Sequence, residues 1–229
     1  MKSIFKSAFL AVMFISAAFV AEADAQGGEL GKILRRMDTH NRNLTTLRAN
    51  VTWAKENTQL GETDVVQGSI MYAKRPGKDA LVRVDWKRPS ETISVGDGRY
   101  VIFQPDNNIA YKGSVKDASK GQTKVASAFS FMSMSRAELD ANFTPSYLGQ
   151  GNLSDGTAVV HLRLIPKAKA NFKSAELWVD VDGMLRQTKV VESNNDTSTF
   201  LITKAEKNPP LKSSDFNVKL PGNTKVQTT

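Results

Sequence analysis

Thr92-Ile93-Ser94-Val95-Gly96-Asp97-Gly98-Arg99-Tyr100-Val101-Ile102-Phe103-Gln104 is the stretch that decides the fold. Polar and apolar residues alternate up to Val95, and an aromatic and β-branched run follows from Tyr100. Gly96-Asp97-Gly98 between them supplies the positive φ that a tight antiparallel turn demands. Residues 92–104 therefore read as a β-hairpin.

The same pattern extends in both directions. Leu47, Ala49, Val51 and Trp53 alternate with Arg48, Asn50, Thr52 and Ala54, the signature of a half-buried strand. Strand-like runs recur at Val65–Lys74, Ala80–Trp86 and Ile109–Lys112, then at Ala158–Ile165, Ser174–Val181, Leu185–Glu192 and Thr197–Ala205. Pro76-Gly77, Asp155-Gly156, Asp182-Gly183 and Asn194-Asn195-Asp196 punctuate them as turns. About eleven short strands at this spacing predict one antiparallel sheet curled into an incomplete barrel. The fold class is mainly β with helices (α+β).

Two segments depart from period two. Leu30, Ile33, Leu34, Met37 and Leu44 fall at helical spacing, which predicts an amphipathic helix from Glu29 to about Thr45. Across 120–142 the alternation stops. Val125, Phe129 and Met132 recur at i, i+4 and i+7, with Phe131 and Met134 beside them. Ser135 and Glu138 then form a capping box that starts a short helix. Two readings of this insert stand. It covers one face of the sheet as core, or its methionines make an adaptable surface for variable apolar ligands.

The N-terminus reads as an export signal. Lys2 and Lys6 precede an apolar run from Ala8 to Val20, and Ala23-Asp24-Ala25 offers the small residues of a cleavage site. Cleavage near Ala25 leaves a single domain over 26–229. An uncleaved anchor needs about 20 apolar residues, and Glu22 and Asp24 interrupt this run. With no Cys after it, the chain itself is not a lipoprotein. The expected location is the periplasm.

Composition narrows the chemistry. The 229 residues are 40% hydrophobic and 24% charged, which suits a globular domain. Zero Cys removes disulfides, thiolate nucleophiles and Cys-ligated metals. The only two His, His40 and His161, sit on polar parities of a helix and a strand. Asp180-Val181-Asp182-Gly183 resembles the start of a calcium loop, but Met184 takes the next ligand position, and a hairpin turn explains it better. No nucleophile elbow, phosphate loop or zinc helix is present, and nothing nominates a pair of catalytic carboxylates. We therefore expect no enzyme, no cofactor and no metal. The net charge of +8 is spread along the chain. It reads as a solvated surface or as a docking surface for acidic partners or anionic headgroups, and without aromatic interleaving it does not indicate nucleic acid.

The order of these features carries a resemblance. A signal peptide and amphipathic helix precede Ala73-Lys74-Arg75-Pro76-Gly77, a strand ending at Trp86, and the residue 93–100 hairpin. A strand ending Phe103-Gln104-Pro105, then Leu164-Ile165-Pro166-Lys167, the Trp178–Gln187 hairpin and Asp215-Phe216-Asn217-Val218 complete the series. This order resembles the periplasmic outer-membrane lipoprotein carrier (LolA-like) family over the whole mature chain. The resemblance implies an apolar cavity closed at one end by helices. It also implies that the protein shuttles acylated lipoproteins from an inner-membrane releasing transporter to an outer-membrane acceptor, as a monomer. Arg75 matches the family arginine that hydrogen-bonds backbone carbonyls of the lid helices and keeps the cavity shut. The bland alternative makes Arg75 an ordinary turn residue.

Strand parity nominates the acyl-chain cavity: Leu47, Val51, Trp53, Val82, Val84, Trp86, Ile93, Val95, Leu177 and Val179. The lid would contribute Val125, Phe129, Phe131, Met132 and Met134. Two other functions stay open. One is a lipid or lipoprotein sensor of the same fold. The other is an enzyme built on carboxylates at the barrel mouth.

Overall fold

Apolar residues at every second position build almost the whole molecule into one sheet. The structure is a computed structural model, which describes residues 28–115, 131 and 134–228. The expected export signal, residues 1–25, and the nominated lid residues Val125, Phe129 and Met132 lie outside the described residues. A helix, α1 (28–43), leads into six strands: β1 (Thr46–Asn57), β2 (Glu62–Ala73), β3 (Leu81–Lys87), β4 (Ser90–Gly96), β5 (Arg99–Gln104) and β6 (Ile109–Ser114). The short helix α2 (Arg136–Asn142) precedes β7 (Phe143–Asn152), β8 (Ala158–Pro166), β9 (Phe172–Asp180), β10 (Leu185–Glu192), β11 (Thr197–Lys207) and β12 (Lys225–Thr228). Among the described residues, no helix is long and apolar enough to cross a membrane.

The twelve strands form one open sheet in the order β12-β6-β5-β4-β3-β2-β1-β11-β10-β9-β8-β7. All pairs are antiparallel except β12 with β6. Because β1 bonds both β2 and β11, the two halves of the chain join at its N-terminal strand. Two strands escape the sequence reading. β7 contains Pro145, Gly149 and Gly151, residue types that sheets tolerate at an edge, which is where it lies. β12 has four residues, all exposed, and no alternation to read.

Helix α1 lies on one face of the sheet, called here the covered face. Its Ile33, Leu34 and Met37 pack with Val160, Leu162, Leu164, Ala175, Leu177 and Val179. Leu44, just past the helix, joins a second cluster with Leu47, Ala49, Val51, Ile70, Val84 and Trp86. The β9–β10 turn docks against α1. Asp180 Oδ1 accepts the backbone N–H groups of Asp182 at 3.0 Å and Met184 at 2.9 Å, which closes the turn. Those bonds account for the carboxylate that resembled a calcium ligand.

The opposite face carries a strap formed by the chain after β11. Phe216, in the 3₁₀ turn Ser213–Phe216, is buried with Ala73 and Leu81. A polar pin fixes it there. Arg83 forms a two-pronged ion pair with Asp85, both contacts at 2.9 Å, and donates to the carbonyls of Asp215 (3.2 Å) and Asn217 (2.9 Å). Ser94 Oγ donates to the Phe216 carbonyl at 2.6 Å. His161 lies on this outer face, half-buried, with Nε2 3.0 Å from Glu176 and its ring stacked on Trp178 at 4.2 Å. His40 departs from its expected polar setting: it is half-buried, and its Nε2 is sequestered without a hydrogen-bond partner.

Candidate apolar binding site

Register places the nominated residues on the covered face. Trp53 stands opposite Phe200 and Val66, and Val84 stands opposite Ile70 and Ile93. Leu47, Val51, Val84 and Trp86 are buried in one cluster, with Trp53, Val82 and Ile93 packed against it half-buried. Leu177 and Val179 belong to the other cluster, beneath α1. Val95 shares their parity opposite Val82 but is half-buried outside both clusters.

An aromatic stack marks each half of this floor. Trp53 stacks on Phe200 at 5.3 Å between ring centres and meets Trp86 at 6.0 Å. Gly68 makes that geometry possible. It sits directly opposite Trp86, and a Cβ there would lie 2.9 Å from the indole and 2.4 Å from the Asp85 carbonyl oxygen. Phe131 is buried in the second stack, 5.7 Å from Phe143 and 6.3 Å from Phe172. Of the five nominated lid residues, Phe131 and Met134 are the two within the described residues, and half-buried Met134 packs against the same cluster. Sequence reasoning missed Phe143, Phe172 and Phe200. Parity in the Thr197–Ala205 run could have found Phe200, whereas Phe143 opens a strand that does not read as one.

Polar groups bound the floor near the Trp stack. Gln104 Nε2 donates to Glu91 at 2.9 Å, and Glu91 stands opposite Trp86. Lys55 Nζ lies 5.8 Å from the Trp53 ring. Burial pushes the Tyr72 phenol up, so it stays neutral beside the floor.

Arg75 sits just past the end of β2 with its side chain half-buried. Nε and Nη2 both donate to the Asp79 carbonyl, at 2.8 and 2.6 Å, and Nη1 pairs with Asp97 at 3.0 Å. The fork thus ties the β2–β3 turn to the β4–β5 turn. Lys74, beside it, reaches a helix end: its Nζ donates to the carbonyls of Asn41 (3.2 Å) and Arg42 (3.4 Å) in the last turn of α1. Asn41 Nδ2 in turn donates to the Met134 carbonyl at 3.1 Å, joining α1 to the chain before α2. The capping box expected at α2 is present, with Ser135 and Glu138 exchanging bonds. Those bonds hold the Glu138 carboxyl below its usual range.

An open antiparallel sheet with two apolar clusters on one face, a helix packed over one of them and a strap on the other face defines the half-barrel architecture. The chain matches the family model of the outer membrane lipoprotein carrier protein LolA over residues 42–219, and it belongs to that family. No curated protein sequence matches it. Among solved structures, an uncharacterized conserved protein from Thermus thermophilus is 12% identical with a TM-score of 0.55, covering 88% of this chain and 99% of that one. MucB is also 12% identical, with a TM-score of 0.57 over 84% of this chain, which spans 63% of MucB's length. These likenesses are likenesses of fold.

Proposed function

We propose that this protein is a periplasmic carrier that holds the acyl chains of lipoproteins on its covered face and passes them from an inner-membrane transporter to an outer-membrane acceptor. Membership of the carrier family supports the reading. The observation that carries it is the apolar covered face, whose two buried clusters each hold a group of aromatic rings. Burying one CH₂ is worth about 0.8 kcal/mol, so exposing a long acyl chain to water costs on the order of 10 kcal/mol. Unassisted crossing of an aqueous compartment is negligible at that cost.

The carrier acts as a monomer, exported by residues 1–25, with residues 26–229 as one domain and 120–142 as its lid. Each residue takes a role that suits its position. Leu47, Val51, Trp53, Val82, Val84, Trp86, Ile93 and Val95 contact acyl chain on one half, Leu177 and Val179 on the other, with Phe131 and Met134 moving as part of the lid. Arg75 braces the rim against which that lid closes. Mass spectrometry of protein purified from the periplasm tests the reading. Acylated peptide or phospholipid should accompany the chain, and protein free of any acylated compound when isolated without detergent contradicts it.

A further inference from the structure

The basic residues of α1 converge where the helix crosses the β7–β8 edge. A cavity of about 410 Å³ opens there, walled by Val159, Val160, Val179 and Val181, with Gln150 and Asn152 from the edge strand. That volume is in the range of small-ligand sites. Arg36 lines it and also lines a neighbouring cavity of about 370 Å³ together with Lys32, Arg35 and Thr39. Arg36 Nε is buried without a hydrogen-bond partner, and its Nη1 makes only a long contact, 3.4 Å, to the Val181 carbonyl.

The two carboxylates at these cavities are already engaged. Glu29 pairs with Lys32 at 3.4 Å, and Asp182 pairs with Lys207 at 2.9 Å. Among the described residues, neither Arg35 nor Arg36 has a carboxylate partner. Arg36 lines both cavities without a carboxylate partner, and the ligand that suits such a guanidinium is an anion whose oxygens match its fork. Val181, 66% exposed, adds an apolar lip next to the charge. Positive charge beside an apolar wall suits an amphiphile better than a free anion.

We propose that these two adjoining cavities bind the head of an acidic, phosphate-bearing lipid, with the phosphate between Arg36, which lines both, and Arg35, which lines the smaller, and the adjoining methylenes against the four valines of the larger. The site borders the α1 half of the covered face, where it shares Val179, lies apart from the Trp53–Trp86 stack and goes beyond the acyl-chain reading. Bound there, the lipid would hold α1 to the sheet edge.

Calorimetric titration of the mature chain with monomeric dihexanoyl phosphatidylglycerol and dihexanoyl phosphatidylcholine tests it. The acidic lipid should bind at least tenfold more tightly. Arg36→Gln and, separately, Arg35→Gln should each remove most of that preference, while Lys87→Gln, on an exposed position of β3, keeps it. Arg35 is exposed, so its variant remains informative even if Arg36→Gln fails to fold. Binding of an apolar fluorophore should survive in the folded arginine variants, which separates this site from the acyl-chain floor. Equal affinity for the two lipids, or a preference intact in Arg35→Gln, overturns the proposal. Inorganic phosphate binding as tightly as the acidic lipid overturns its lipid part.

Discussion

Gly183 lies so close to Arg36 that a Cβ added to the glycine would stand 2.4 Å from the arginine's carbonyl oxygen and 2.5 Å from its carbonyl carbon. This contact seats α1 on the tip of the β9–β10 hairpin. The obstructing atoms are helix backbone and cannot swing aside, and Gly183 has φ +87°. Gly183→Ala should therefore cost about 1–3 kcal/mol from backbone strain, with the displacement of α1 added to it. A lower urea midpoint at unchanged slope checks this. An unchanged midpoint would mean that α1 does not rest on the turn.

The strap depends on Arg83 and Asp85. Both are partly exposed, at 23% and 34%, so the pair itself contributes modestly, but Arg83 also carries the bonds to the Asp215 and Asn217 carbonyls. Asp85→Asn loosens the fork without removing those donors, whereas Arg83→Gln removes them. We expect losses of roughly 0.5–1 and 1.5–3 kcal/mol respectively. Limited proteolysis should cut between residues 209 and 224 faster in Arg83→Gln than in Asp85→Asn.

His40 makes stability pH-dependent. Burial, and next the charge of Lys207, lower its pKa below the ordinary 6.5, while Asp180 and Asp182 act in the opposite direction. The unfolded chain therefore binds the extra proton first as pH falls. Stability from this source is complete above about 6.5 and declines as pH drops toward the folded pKa, by at most about 1.4 kcal/mol per pH unit. In His40→Asn, denaturation midpoints measured between pH 7.5 and 5 should show a flatter slope than in the parent.

Arg75 and Lys74 divide the rim between them. Arg75→Leu releases the Asp79 carbonyl and Asp97, so a protein that still loads lipoprotein should hand it on about tenfold more slowly or worse. Arg75→Lys restores the charge but not the fork, and should rescue only in part. Lys74→Met instead frees the end of α1, and amide exchange should rise in residues 40–43. Loading and transfer are measured separately with one lipoprotein and one acceptor. Normal transfer by Arg75→Leu makes Arg75 a turn residue only.

Much of this architecture is legible in the sequence because alternating burial leaves a period-two trace. Parity alone puts Leu47, Val51, Val84 and Trp86 on one face, and they are neighbours in one buried cluster. The edge strand β7 leaves no such trace, since Pro145 and two glycines interrupt it, and Phe143 goes unread with it. Lys74 escapes notice for a different reason: a helix-capping bond across 33 positions has no local signature. The cavity at Arg36 is hidden in the same way, because its walls come from α1, β7, β8 and the residues around the β9–β10 turn.

On the carrier reading, acyl chain and not peptide is what the covered face binds. In a Trp178→Phe background, which removes the indole on the outer face, fluorescence of Trp53 and Trp86 reports on the covered face, since both belong to its Trp–Phe stack. Titrating the mature chain with a triacylated lipopeptide, and with the same peptide lacking its acyl chains, provides the decisive comparison. On that reading, a saturable spectral shift should appear with the acylated form alone, be lost in Val84→Asp and be retained in Lys87→Gln. An equal response to the bare peptide, or an undiminished response in a folded Val84→Asp protein, would contradict it.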